Sequence, residues 1–144
     1  MRKSIFVCML IFVILLAGCN SSVNTDGIPD PNIPDPDKIV PPRKALIEGL
    51  EDCGYTIEAL TSVEGSDLIV DRVVAKKENR FIDIVYGLSS EDASTIFNLY
   101  QKMYLDYYIL AQNGNYVYCI SDKRTFKAAG FTSTGNIGVQ YIHE

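Results

Sequence analysis

All six prolines of the 144-residue chain lie between positions 29 and 42, and none occurs from 43 to 144. Proline fixes φ and lacks a backbone donor, so it disrupts helix interiors and central strands. This partition divides the chain before any other feature is weighed. The Pro-rich stretch can hold neither a sheet nor a long helix; the residues after it are free to form both. Within that stretch Ile28-Pro29-Asp30-Pro31-Asn32 is followed by Ile33-Pro34-Asp35-Pro36-Asp37, which differs only in its last residue. Residues 20–42 are therefore expected to form an extended, polyproline-like spacer, with a reach of about 70 Å at ~3.1 Å per residue. Four aspartates against the single Lys38 repel one another and favour extension.

A second constraint lies upstream. Arg2 and Lys3 precede an unbroken apolar run over positions 5–16. Crossing a bilayer core takes roughly 20 helical residues, so this run is short for a transmembrane helix and reads as a secretory signal peptide. It ends in Leu16-Ala17-Gly18-Cys19, which resembles the lipobox of bacterial lipoproteins at all four positions. The resemblance implies a diacylglycerol on the Cys19 sulfur, cleavage between Gly18 and Cys19, and Cys19 as the mature N-terminus. The chemistry agrees. A thiolate is the side-chain nucleophile suited to forming a thioether, and two acyl chains on one residue give stable anchoring where one does not. The expected organisation is a cleaved signal over 1–18, a lipidated tether over 19–42 and a folded domain over 43–144. The expected location is the extracytoplasmic face of the cell membrane.

Loss of Arg2 and Lys3 with the signal leaves 11 basic against 18 acidic side chains, a net charge of −7. Nucleic-acid binding needs a basic footprint, so nucleic acid is excluded as an expected partner. A polybasic grip on anionic lipid is excluded on the same ground. Of four cysteines, Cys8 leaves with the signal and Cys19 carries the lipid. Cys53 and Cys119 form the candidate disulfide, permitted outside the cytoplasm and worth roughly 4 kcal/mol on the chain-entropy model. The competing reading, two unpaired thiols in apolar surroundings, is slightly favoured.

From position 43 the pattern is that of a small α+β domain. Leu46, Ile47, Leu50 and Cys53 fall on one helical face, Gly54 is placed to end that helix, and Gly49 inside it marks a close approach to another element. Residues 55–61 read as a short strand. Residues 69–77 and 80–87 read as a hairpin turning at Glu78-Asn79, with Val73 opposite Ile84 and Ala75 opposite Ile82. Its other face carries Arg72, Lys76, Phe81, Asp83 and Val85 and is expected to be partly solvated. Ser89 or Ser90 caps a helix whose apolar stripe runs through Ala93, Ile96, Phe97, Tyr100, Met103, Tyr104 and Tyr107. Asn113-Gly114 predicts a second hairpin, with Ile109 opposite Tyr118 and Ala111 opposite Tyr116. Ser121 is expected to cap a short helix closed by Gly130, and residues 138–142 can add an edge strand. Together these predict a mostly antiparallel sheet of about five strands with two to three helices packed on one face.

Residues for catalysis are sparse. His143, the single histidine, is one residue from the end of the sequence, and no Cys/His cluster of zinc-site spacing, EF-hand loop or phosphate-binding glycine loop is present. Nothing implies a cofactor or a metal. Tyr107, Tyr116 and Tyr118 are expected on one hairpin face, where uncovered tyrosines would offer a protein, peptide or glycan partner an amphipathic platform; burial in the core is the commoner fate of such residues. The leading expectation is a non-enzymatic binding or interaction module on a membrane tether. The alternatives are a cell-envelope enzyme, such as a carboxylate-dependent hydrolase, and a structural component that assembles through its sheet edge.

Overall fold

The computed structural model describes residues 35–134 and 139–142. The lipobox with Gly18 and Cys19, most of the spacer, and His143 lie outside the described residues. The described chain begins with a single helical turn, α1 (Pro36–Ile39), followed by α2 (Arg43–Asp52). Strands β1 (Thr56–Leu60), β2 (Asp71–Lys77) and β3 (Arg80–Tyr86) come next, then the long helix α3 (Ser90–Met103). Strands β4 (Ile109–Asn113) and β5 (Tyr116–Ile120), helix α4 (Lys123–Ala128) and strand β6 (Val139–Ile142) complete the order. The six strands make one sheet ordered β1-β2-β3-β5-β4-β6, with every neighbouring pair antiparallel. The architecture is α+β, with six strands where five were expected.

Helices cover both faces of this sheet, where the sequence pattern predicts one. On one face α2 and α4 bury Leu46, Leu50 and Phe126 against Val73, Ile82, Ile84, Ile109, Tyr118 and Ile120. On the other, α3 buries Ala93, Ile96, Phe97 and Tyr100 against Val85, Leu110, Val117 and Cys119. The reason is visible in β3, β4 and β5. Apart from Asp83 and Gln112, their central residues are apolar on both sides, and a strand with two largely apolar faces must be covered twice.

Local signals shape the elements. Ser89 caps α3 by accepting from the Asp92 amide, and Glu91 and Asp92 lie at its positive dipole end. Gly49 sits where α2 meets α4; a Cβ there would lie 2.6 Å from the Ala128 carbonyl oxygen. The short helix is capped one residue later than expected, by Asp122 instead of Ser121.

Two expectations are corrected. The register of β4 and β5 is two residues from the one predicted, with Ile109 opposite Ile120 and Ala111 opposite Tyr118. Gly114 and Asn115 make the turn, because Gly114 takes the positive φ of 54° while Asn113 stays in the strand, buried, and donates to the Tyr118 hydroxyl at 2.6 Å. A shift of two preserves the face of every side chain. The second correction concerns the spacer, whose last residues are folded. Asp35 caps α1, a Pro at the first helical position costs no hydrogen bond, and Ile39 and Val40 are buried. Asp37 accepts from the Tyr116 hydroxyl, and the Tyr86 hydroxyl donates to the Pro41 carbonyl. The chain thus enters the domain beside the β4–β5 turn.

Candidate functional site

The sheet carries two polar centres, one sealed and one open. The sealed centre is Asp83, on the face expected to be partly solvated. It has no exposed surface and accepts four hydrogen bonds, two on each carboxylate oxygen. Arg72 Nε and Nη2 donate at 2.8 and 2.6 Å from the neighbouring strand. The Tyr100 hydroxyl donates at 2.6 Å from α3, and the hydroxyl of Tyr104, the residue that ends that helix, donates to the other oxygen. The remaining Arg72 amino group donates to the Ser62 carbonyl at 2.9 Å. The hydrogen bond with Asp83 raises the Arg72 pKa, while burial first and then the adjacent carboxylate raise those of Tyr100 and Tyr104. Every lone-pair direction of Asp83 is filled, so this carboxylate has no capacity left for a ligand or a transferred proton. It is a clamp between α3 and the sheet.

The open centre lies at the opposite pole from the β4–β5 turn, where the β2–β3 turn, the end of β5 and the start of α4 meet. A cleft of about 670 Å³ is lined by Glu78, Arg80, Phe81, Asp106, Lys123 and Arg124 together with Asn79, Ser121 and Asp122. A second hollow of about 250 Å³ adjoins it, walled by Val74, Phe81 and Tyr104 and rimmed by Lys76 and Arg80. Glu78, Asn79, Arg80 and Phe81 line both, so the β2–β3 turn forms the ridge between them. Phe81 stacks on Tyr104 at 5.0 Å between centroids and 21° between planes.

The back wall of the cleft is rigid because its polar groups satisfy one another. Ser121 Oγ accepts from the Phe81 amide at 2.8 Å and donates to Asp122 at 2.7 Å. Asp122 also accepts from the amides of Arg124 and Thr125 and from the Thr125 hydroxyl. Burial alone would raise the Asp122 pKa, but these four bonds outweigh it and hold the carboxyl below its ordinary range. Asp122 is therefore a fixed anion and a poor proton donor. The cationic rim is less committed. Among the described residues the Arg80 guanidinium meets only the Glu78 carboxylate as a polar partner, at 3.4 Å, and none accepts from the Arg124 guanidinium. The Lys123 ammonium sits 5.5 Å from the Tyr108 ring centroid.

The residues singled out from sequence are not brought together. Tyr118 is fully buried against Phe131. Tyr116 is half-buried on the same face, with its ring edge-on to Tyr86 and its hydroxyl on Asp37. Tyr107 packs against the α3 side of the sheet. The three do not form one platform: Tyr116 and Tyr118 share the layer of α2 and α4, while Tyr107 precedes β4 and packs in the α3 layer. Cys53 and Cys119 are both free thiols. Cys119 points into the α3 layer, where burial followed by the Asp83 charge raises its pKa, while Cys53 is exposed at the end of α2 on the other layer. The sheet lies between them. The cleft residues Glu78, Arg80, Lys123 and Arg124 were not anticipated, since they come from segments 40 residues apart in sequence. Asp83 left a clearer trace: an opposite charge on Arg72 across the hairpin, and two tyrosines four positions apart on the next helix.

No protein-family model, curated protein or solved structure shows significant similarity to this chain. No described helix is long and apolar enough to cross a membrane, and no described cluster of His, Cys, Asp or Glu could hold a metal ion.

Proposed function

We propose that this chain is a lipid-anchored, extracytoplasmic binding module that holds a polar, anionic ligand in the cleft at the pole remote from its tether. The observation that carries the reading is the placement of entry and cleft at opposite ends of β5. Tyr116, beside the entering chain, and Ser121, in the cleft wall, are five residues apart, about 17 Å along an extended strand. A domain held through Cys19 and the spacer would offer this cleft away from the lipid surface. Charge supports an anionic ligand. Lys76, Arg80, Lys123 and Arg124 line the two hollows in an otherwise acidic chain. Three carboxylates are also there: Asp122 is used up by the α4 cap, Glu78 faces Arg80, and Asp106 is exposed, so the four cations outnumber them by one.

Two measurements test the two halves. Metabolic labelling with a fatty-acid analogue should tag the wild-type chain and not Cys19→Ala; equal labelling of both would remove the anchor from the reading. A photo-crosslinking residue at position 124 should give an adduct with envelope material that Lys123→Glu abolishes, while the same residue at position 115 should give none. Equal adducts from the two poles would eliminate the cleft as the binding site.

A further inference from the structure

Both tight hairpins of the sheet turn over two residues with asparagine in second place, Glu78-Asn79 and Gly114-Asn115. Both require positive φ in first place, 54° at Gly114 and 57° at Glu78. Glycine adopts that conformation freely, whereas an L side chain there is strained. Glu78 is the one non-glycine residue with positive φ among the described residues. The contact it makes does not account for the strain. The side chain is mostly exposed, and its carboxylate meets Arg80 at 3.4 Å, a geometry that contributes little in water. Arg80 is the more buried partner, and its planar fork of donors suits a two-point grip on a carboxylate.

We propose that Arg80 receives the free carboxylate at the end of a peptide chain, and that the hollow of Val74, Phe81 and Tyr104 takes that end's apolar side chain. Glu78 occupies Arg80 in the free protein and is displaced when the ligand carboxylate arrives. This rests on the cleft reading above and narrows it. The hollow beside Arg80 has the size and apolar walls for one aliphatic side chain adjoining a charged fork. A peptide end fits it better than an acidic sugar, because the Phe81–Tyr104 stack already commits a face of each ring that a sugar would use. A strained glutamate fits the role of occupant, since a turn carrying glycine would leave Arg80 without its internal carboxylate.

The test uses the full chain in detergent, three small probes, and the NMR signals of Arg80 Nε–H and the Phe81 and Lys123 amides. N-acetyl-leucine should shift the Arg80 and Phe81 signals with a Kd on the order of millimolar. N-acetyl-leucinamide, which lacks the carboxylate, should bind at least about tenfold more weakly. Glu78→Gln keeps the turn and removes the competing charge, so it should tighten N-acetyl-leucine a few-fold. Arg80→Lys should weaken it by about tenfold, with the remaining amide spectrum unchanged. Equal affinity for acid and amide, or weaker binding by Glu78→Gln, would overturn the proposal. Glucuronate binding without N-acetyl-leucine binding would leave the anionic cleft standing and overturn the peptide end. Shifts at Lys123 with none at Arg80 would do the same. If no probe moves any cleft signal by about 10 mM, both this proposal and the cleft reading fail.

Discussion

Arg72 and Arg80 sit toward opposite ends of the same β-hairpin, and each faces a carboxylate. The Arg72 side chain is 11% exposed and its partner Asp83 is 0% exposed; for Arg80 and Glu78 the figures are 25% and 73%. The first pair is bidentate and shares its carboxylate with two tyrosine hydroxyls. The second is a single long contact across a strained turn. Burial separates an ion pair that holds the fold from one that does not. A sealed pair fixes how a helix seats on a sheet, because either charge left alone would be buried in low dielectric. An open pair contributes little to stability, and its groups stay available to another partner.

The largest test of this contrast is Asp83→Asn. It leaves the Arg72 charge buried without its counter-ion and should cost about 3–5 kcal/mol, a large share of the roughly 5–15 kcal/mol that holds a domain together. The conservative change in the open pair, Glu78→Gln, should cost less than about 1 kcal/mol. Urea midpoints measure both, and equal shifts would break the contrast.

Alkaline titration gives the next largest effect. Tyr100 and Tyr104 have pKa values raised in the folded state, first by burial and then by Asp83. A raised value means that the folded state holds its proton more tightly than the unfolded chain. The resulting stability is fully present below about pH 10 and is lost as pH rises beyond it, by up to ~1.4 kcal/mol per pH unit for each tyrosine. Tyr116 is raised only to about 12, chiefly by its hydrogen bond to Asp37. Its tyrosinate absorbance should therefore develop before unfolding, and that of Tyr100 and Tyr104 only with loss of the circular-dichroism signal. Tyrosinate from Tyr100 in the folded state would mean that the Asp83 centre is not sealed.

The smallest effects compare the two turns. Glu78→Gly should stabilise the domain by about 1 kcal/mol, because it relieves a left-handed backbone. Gly114→Ala should destabilise it by about 1–2 kcal/mol, since a Cβ there adds the same strain and lies 3.0 Å from Pro36 Cγ. Thermal melting measures both, and shifts of the same sign would remove the case for a strained Glu78.

Much of the fold was legible because the signals are local. The Ser89 cap, the Glu78-Asn79 turn with its register, and the close approach at Gly49 each depend on a few neighbouring residues. The β4–β5 register was less legible, because Asn113-Gly114 and Gly114-Asn115 are both good two-residue turns. Burial of the Asn113 side chain beside Tyr118 chooses between them. The folding of residues 35–42 was hidden by a repeat whose two copies look alike. Only the second copy continues into Ile39 and Val40, which have a core to enter.

Proline placement was enough to separate a segment that cannot enter a sheet from a Pro-free segment patterned for α+β. The sequence also supplied the lipobox resemblance at Cys19, which rests on a linear motif and needs no fold. Packing fixed which helices lie on each face of the sheet. It thereby buried Asp83, divided the tyrosines between two layers and kept Cys53 from Cys119. It also decided which charges meet at the remote pole. Alternation along a strand says which residues share a face, but not what will lie on that face. That depends on where distant helices find apolar surface to cover, and on which charges are left in water once they have.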